Sequence, residues 1–129
     1  VLTIVTGPPC GGKSTHIRQH ATPNAIIIDL DRIALALSTE GCDHHQYPPH
    51  VRNTALAARR AAIRTALDYT HHTDVWIIDT KPTRESWATY KAHGAQTHKA
   101  DPGVDVCLAR AQRERPPWVQ QVIHDYYTP

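Results

Sequence analysis

Eight residues near the start of the chain, Gly7-Pro8-Pro9-Cys10-Gly11-Gly12-Lys13-Ser14, carry the spacing G-x-x-x-x-G-K-[ST]. This is the pattern of a loop that wraps the phosphates of a nucleoside triphosphate. Glycines reach backbone angles closed to other residues and let successive main-chain N–H groups close round an anion. A helix opening at Lys13 aims its N-terminal dipole at the same charge. Lys13 supplies a point charge for the β- and γ-phosphates, and Ser14 a hydroxyl for Mg²⁺ or Mn²⁺. Thr15 is expected to touch the α-phosphate. The implied ligand is an NTP, either ATP or GTP.

Two acids stand where a parallel sheet would present them to such a ligand. Asp79 closes the apolar run VWIID, and Asp31 follows IIID at the start of the next helical stretch. Ligands of open α/β sheets bind beyond the carboxyl ends of the strands. Asp79 therefore reads as a carboxylate for the metal, acting through water together with Ser14. Asp31 reads as the general base that takes a proton from an attacking hydroxyl. The plainer alternative for Asp29 or Asp31 is a helix N-cap; for Asp79 it is a strand-end turn residue.

Ten of the fourteen basic residues are arginines, gathered at 52–64 and 110–115. Arg110, Arg113 and Arg115 sit beside Pro116–Pro117 in a segment of about 108–118 that reads as a lid over the phosphates. Arginines there would neutralise charge spreading over a transferred phosphoryl group. Arg52 and Arg59, seven residues apart, share one face of a helix and would line an entry path for a phosphodiester backbone. For both groups the alternative is a solvated surface.

The elements that position these residues alternate. Residues 1–6, 25–29 and 74–79 read as buried strands and 95–100 as a weaker one. Helices are expected at 13–20, 31–38, 51–69, 84–93, 103–112 and 118–127, with Thr83 capping the fourth and Gly94 ending it. Residues 39–50, with Gly41 and Pro48–Pro49, read as a loop. The order predicts an α/β P-loop kinase fold: a parallel four-stranded sheet flanked by helices on both faces. With 129 residues and no linker, the expectation is one domain over 1–129.

Composition excludes several classes. Three cysteines, Cys10, Cys42 and Cys107, are too few and too scattered for a disulfide scaffold, which predicts a reduced, intracellular and cytoplasmic setting. No apolar run approaches membrane-spanning length, and no basic leader or cleavage pattern opens the chain. A net charge of +2 permits a nucleic-acid partner without demanding one. Cys42, Asp43, His44 and His45 lack the ligand spacing of a zinc site, as do His71 and His72, so both groups read as surface loops.

With these residues placed, the chain resembles the kinase domain of phage-type polynucleotide 5′-kinases over nearly its whole length. GPPCGGKST resembles that family's phosphate loop, IIIDLDR the strand leading to its catalytic acid, and VWIIDTKPTRESWATYKAHG its strand–Asp-Thr–helix segment. VCLARAQRERPPWVQQVIHDYY resembles its lid and last helix. The resemblance implies transfer of an NTP γ-phosphate to the 5′-OH end of DNA or RNA, by a monomer or homodimer without membrane attachment. It puts Asp31 in the general-base position, with Lys13, Arg110 and Arg113 completing the catalytic set. It implies an acceptor set of Asp31, Arg32, Arg52, Arg59, Asp79 and Thr80. The family often carries an arginine shortly after the acid to hold the acceptor's 3′-phosphate; here position 34 is alanine, and Arg52 or Arg59 is the substitute available.

Two other readings compete. One is a small-molecule kinase of the same fold, whose label would move to a nucleoside, nucleotide or metabolite. The other is an NTP-binding switch or ATPase subunit, which would hydrolyse NTP with no phosphorylated acceptor.

Overall fold

The computed structural model describes residues 1–39 and 46–128. The Cys42–His45 group considered for zinc lies outside these residues. Four strands, β1 (Leu2–Thr6), β2 (Ile26–Ile28), β3 (Val75–Ile78) and β4 (Gln96–Lys99), form one parallel sheet in the order β2-β3-β1-β4. The two most buried strands, β1 and β3, take the interior, where both faces are covered. Polar β4 lies at an edge, with Gln96, Thr97 and Lys99 exposed. This is why it reads weakly in the sequence.

Among the described residues six α-helices accompany the sheet: α1 (Lys13–His20), α2 (Leu30–Ala36), α3 (Pro49–Ala66), α4 (Arg84–Ala92), α5 (Val104–Glu114) and α6 (Trp118–Tyr127). Strand alternation sorts the core into two faces. Leu2, Ile4, Ile28, Val75 and Ile77 pack on one face against Ala66 of α3 and Tyr90 of α4. Val5 and Trp76 pack on the other against Ile17 of α1. A third, separate cluster of Cys107, Ala111, Val119 and Ile123 joins α5 to α6.

Local chemistry sets the helix ends. Asp29 caps α2, its carboxylate accepting from the Asp31 N–H at 3.1 Å. Thr83 caps α4 in the same way through Ser86 N–H, and Gly94 at φ 71° ends that helix in the left-handed conformation. Strand ends and α2, which spans Leu30–Ala36 and not 31–38, differ from the sequence expectation by one or two residues, and the larger helices show where and why. Helix α3 begins at Pro49, because a proline at the first turn loses no hydrogen bond. It runs into a short 3₁₀ turn, Leu67–Tyr69. Helix α5 continues to Glu114, so most of the expected lid segment is helical and Arg113 lies on that helix.

Candidate active site

The carboxyl ends of β1, β3 and β4 converge on the phosphate loop. Asp79 N–H donates to the Val5 carbonyl at 3.0 Å and Ala100 N–H to the Thr6 carbonyl at 2.8 Å, which levels the three strand ends. The loop leaves β1 at Gly7, whose N–H reaches the Thr80 carbonyl at 3.4 Å. A Cβ on Gly7 or Gly11 would lie 2.1 or 2.3 Å from the Ala100 carbonyl oxygen, so the loop seats against β4 only with glycine at both positions. Gly12, at φ 93°, turns the chain into α1. Cys10 also sits in the left-handed region, at φ 60°.

Lys13 folds back over this loop. Its ammonium donates to the carbonyls of Gly7 at 2.9 Å and Pro8 at 2.7 Å. Burial pushes its pKa below the ordinary lysine value, opposed by the nearby Asp29 carboxylate. Asp29 itself is raised by burial and then by Asp31, despite the N–H it accepts. The cap role thus falls to Asp29, and Asp31 is left one step further out, exposed in the first turn of α2.

Asp79 is held from two directions. The Tyr90 hydroxyl donates to Oδ2 at 3.0 Å, and the Arg59 guanidinium lies 3.6 Å from the same oxygen. Arg59 also donates to the Ile78 carbonyl at 3.0 Å, tying α3 to the end of β3. Burial and then the Asp79 carboxylate push the Tyr90 phenol up to about 12, so it stays a donor across the ordinary pH range. Sequence reading missed Tyr90, though its place eleven residues after Asp79, on the inner side of α4, was the available signal.

The loop, the Asp29, Asp31 and Asp79 carboxylates and the α5–α6 hairpin enclose an open cleft of about 1080 Å³. Gly12 to Thr15, Asp29, Asp31, Asp79, Thr80, Arg110 and Arg115 line it. The hairpin is fastened to the loop where Arg110 donates to the Cys10 carbonyl at 3.0 Å and the Cys10 side chain packs on the α5–α6 cluster. At the hairpin's other end the Tyr127 hydroxyl donates to Asp101, which also accepts from Gly103 N–H at 3.0 Å. The Tyr127 bond holds the Asp101 carboxyl below its usual range.

No protein-family model and no curated protein matches this chain. Among solved structures, that of the Deinococcus radiodurans tunicamycin resistance protein matches at a TM-score of 0.48 and 18% identity, over 97% of this chain and 76% of that one.

A second cavity, about 390 Å³, opens beside the first. Leu30, Asp31, Arg52 and Trp118 line both. Ala34, Gln46, Tyr47 and Ala55 complete its walls.

The structure therefore sorts the site residues named from the sequence. Residues 9–15 of the loop, Asp31, Arg52, Arg59, Asp79, Thr80, Arg110 and Arg115 come together at the cleft. Arg32 and Arg113 do not: both are exposed and line neither cavity. Arg32 follows Asp31 by one residue, which turns it about 100° round α2; Arg113 sits in the last turn of α5, while Arg115 lies past that helix in extended backbone. Arg59 reaches the cleft, but its guanidinium is engaged by Asp79 and Ile78 rather than presented to a ligand. His16 and His98, which sequence reading did not single out, line the cleft as a face-to-face pair with ring centroids 3.5 Å apart and planes 6° apart. Burial, then His98 and His20, push the His16 pKa down. Among the described residues no group of three His, Cys, Asp or Glu is arranged to hold a metal ion. No described helix is long and apolar enough to cross a membrane.

Proposed function

We propose that the chain is an NTP-dependent phosphotransferase with a hydroxyl acceptor, and that this acceptor is the 5′-OH end of a polynucleotide. One observation carries the reading: Asp31 lines both the cleft beside the phosphate loop and the smaller cavity next to it. A carboxylate at the neck between two cavities is where a base must stand to act on an acceptor oxygen facing a donor phosphate. Asp31 would accept the hydroxyl proton as that oxygen bonds to the γ-phosphorus and the bond to the β-phosphate oxygen breaks, releasing the diphosphate. Lys13 and the loop N–H groups hold the β- and γ-phosphates, and Arg110 and Arg115 face the charge that develops on the group in transfer.

Ser14 and Asp79 both line the cleft and offer the hard oxygen donors that Mg²⁺ takes, directly or through water. The ion would supply charge neutralisation between the β- and γ-phosphates. Arg59 and Tyr90 keep the Asp79 carboxylate fixed for that purpose.

Support for a polynucleotide end comes from Arg52, which lines the neck, and from the sequence resemblance. The size of the second cavity favours a rival reading, a small-molecule kinase, because it takes one end group whether or not a strand follows. Transfer of label from γ-labelled NTP to a 5′-OH oligonucleotide, run beside free nucleosides and nucleotides, decides between them. Labelled oligonucleotide is the expected product, and excess chelator should abolish it. NTP hydrolysis with no labelled acceptor would leave only an NTPase.

A further inference from the structure

Two cysteines, Cys10 of the phosphate loop and Cys107 of α5, carry thiols that the phosphotransfer chemistry does not use. Cys10 is half-buried and lines the cleft, whereas Cys107 is fully buried. At φ 60° Cys10 holds a left-handed backbone that residues with a Cβ seldom take. Its side chain packs on the α5–α6 cluster, of which Cys107 is a member. Its carbonyl accepts from Arg110 at 3.0 Å. Cys107 stands three residues before Arg110 and so shares that face of α5. The loop cysteine therefore meets the hairpin by backbone and by side chain, on the helix face that holds both Cys107 and Arg110. The Cys107 sulfur lies 3.7 Å from the Tyr127 hydroxyl, which already donates to Asp101. That oxygen is left to accept, so the thiol proton of Cys107 has a polar neighbour to go to.

We propose that Cys10 and Cys107 are a peroxide-sensitive pair whose disulfide clamps the α5–α6 hairpin to the phosphate loop and suspends transfer. The regulatory sense rests on the phosphotransfer reading; the clamp itself does not. The Cys10 thiolate attacks one oxygen of hydrogen peroxide and breaks the O–O bond. The departing hydroxide takes up the thiol proton and leaves as water, and the sulfur is oxidised to a sulfenic acid. The Cys107 sulfur then attacks the Cys10 sulfur, and the sulfenic hydroxyl leaves with the Cys107 proton as a second water. Two thiols and one peroxide thus give one disulfide and two waters. Burial pushes the Cys10 thiol up, against the pull of the Arg115 guanidinium. The first step therefore quickens as pH rises, because the thiolate is the nucleophile. The new bond fixes the hairpin where Arg110 is engaged by a loop carbonyl and not by a phosphate.

The test treats the full chain with hydrogen peroxide, blocks the remaining thiols and maps linked peptides by mass spectrometry without reductant. Two of the three thiols should disappear into one Cys10–Cys107 link within a single chain, and dithiothreitol should restore them. Closing so long a stretch of chain should raise the melting temperature by about 10 °C. Label transfer should fall about 10-fold or more and return with the reductant. Cys42→Ala should behave as the native protein does. Cys107→Ala, with folding checked by circular dichroism, should transfer label normally under reductant and gain no stability from peroxide. It should keep Cys10 as a sulfenic acid that dimedone traps. Cys107→Ser, whose hydroxyl can also donate to Tyr127, repeats the measurement if alanine loosens the cluster. Thiols left intact, a link from Cys10 to Cys42 or to a second chain, or over-oxidation of Cys10 with no link overturns the pair. A Cys10–Cys107 link that leaves transfer undiminished overturns the regulation. The link and the higher melting temperature in a chain that transfers no label even when reduced overturn the phosphotransfer reading and leave the clamp standing.

Discussion

The phosphate loop and the α5–α6 hairpin face each other across one cleft, yet they are built differently. The loop leaves interior strand β1 beside β3 and leans on the end of β4, with Leu2, Ile4, Val5, Val75 and Ile77 of β1 and β3 all at 1% exposure or less. The hairpin has a core of four buried residues, two of them Cys107 and Ala111, and meets the loop at Cys10. Large apolar side chains on both faces of a sheet fix backbone positions firmly; a small cluster between two helices contributes less burial to hold them. In the proposed reaction donor phosphates would be met by the rigid part, and the arginines that would face them are carried by the part with the smaller anchor. A phosphotransferase needs that division, because donor geometry must be set in advance while the arginines close after binding.

Breaking the rigid side should have the largest effect. Lys13→Ala should cost about 10³-fold or more in transfer, since the point charge on the phosphates is lost. Gly7 and Pro8 are buried, but the Pro8 carbonyl keeps the Gly11 N–H at 3.0 Å, so the fold should remain with only a modest fall in melting temperature. An active Lys13→Ala enzyme would remove the basis for reading the loop as a donor site.

On the hairpin the expectation is graded. Replacing Arg110 or Arg115 with alanine should lower turnover, by about 10³-fold for whichever faces the transferred group. Arg113→Ala should stay within about twofold, because Arg113 lines neither cavity. Loss at Arg113 equal to that at Arg115 would mean that the hairpin turns on α5 when it closes, and the comparison drawn above would have to be redrawn.

Asp31→Asn tests the neck between the regions. Loss of basicity with size retained should reduce the rate by about 10²–10⁴-fold, with NTP·Mg²⁺ affinity from calorimetry unchanged. A matching loss of affinity would make Asp31 a metal or structural residue.

The smallest effect concerns stability alone. Asp29 has its pKa raised by burial and by Asp31. A carboxyl whose folded pKa is raised favours the folded state while protonated and loses that advantage as pH rises through the folded pKa. Asp29→Asn keeps a good N-cap and removes the buried charge, so it should melt at a higher temperature than the native protein at pH 7. The gap should narrow as pH falls through the folded pKa. A lower melting point for Asp29→Asn at pH 7 would show that its contact with Lys13 outweighs burial.

Much of this site is legible in the chain because its signals are local. The spacing from Gly7 to Ser14, the β-branched runs before it and before Asp79, and the Thr83 and Gly94 helix ends each act within a few residues, where backbone sterics and hydrogen bonding decide structure. Helices and strands accordingly lie close to where the periodicity puts them, and the misplaced ends of α3 and α5 are places where proline and arginine continue a helix that reads as loop. What tertiary structure alone decides is which side chains meet. Arg59 and Tyr90, 31 residues apart in sequence and on different helices, close on Asp79. Of the three hairpin arginines, Arg110 and Arg115 line the cleft and Arg113 does not: Arg113 sits in the last turn of α5, whereas Arg115 follows that helix in extended backbone. Tyr47 and Trp118 come to share a cavity only because α2, α3 and α6 leave room over Ala34 and Ala55. A period of 3.6 residues tells which face of a helix is apolar, but the neighbour that face meets is set by the packing of the whole chain.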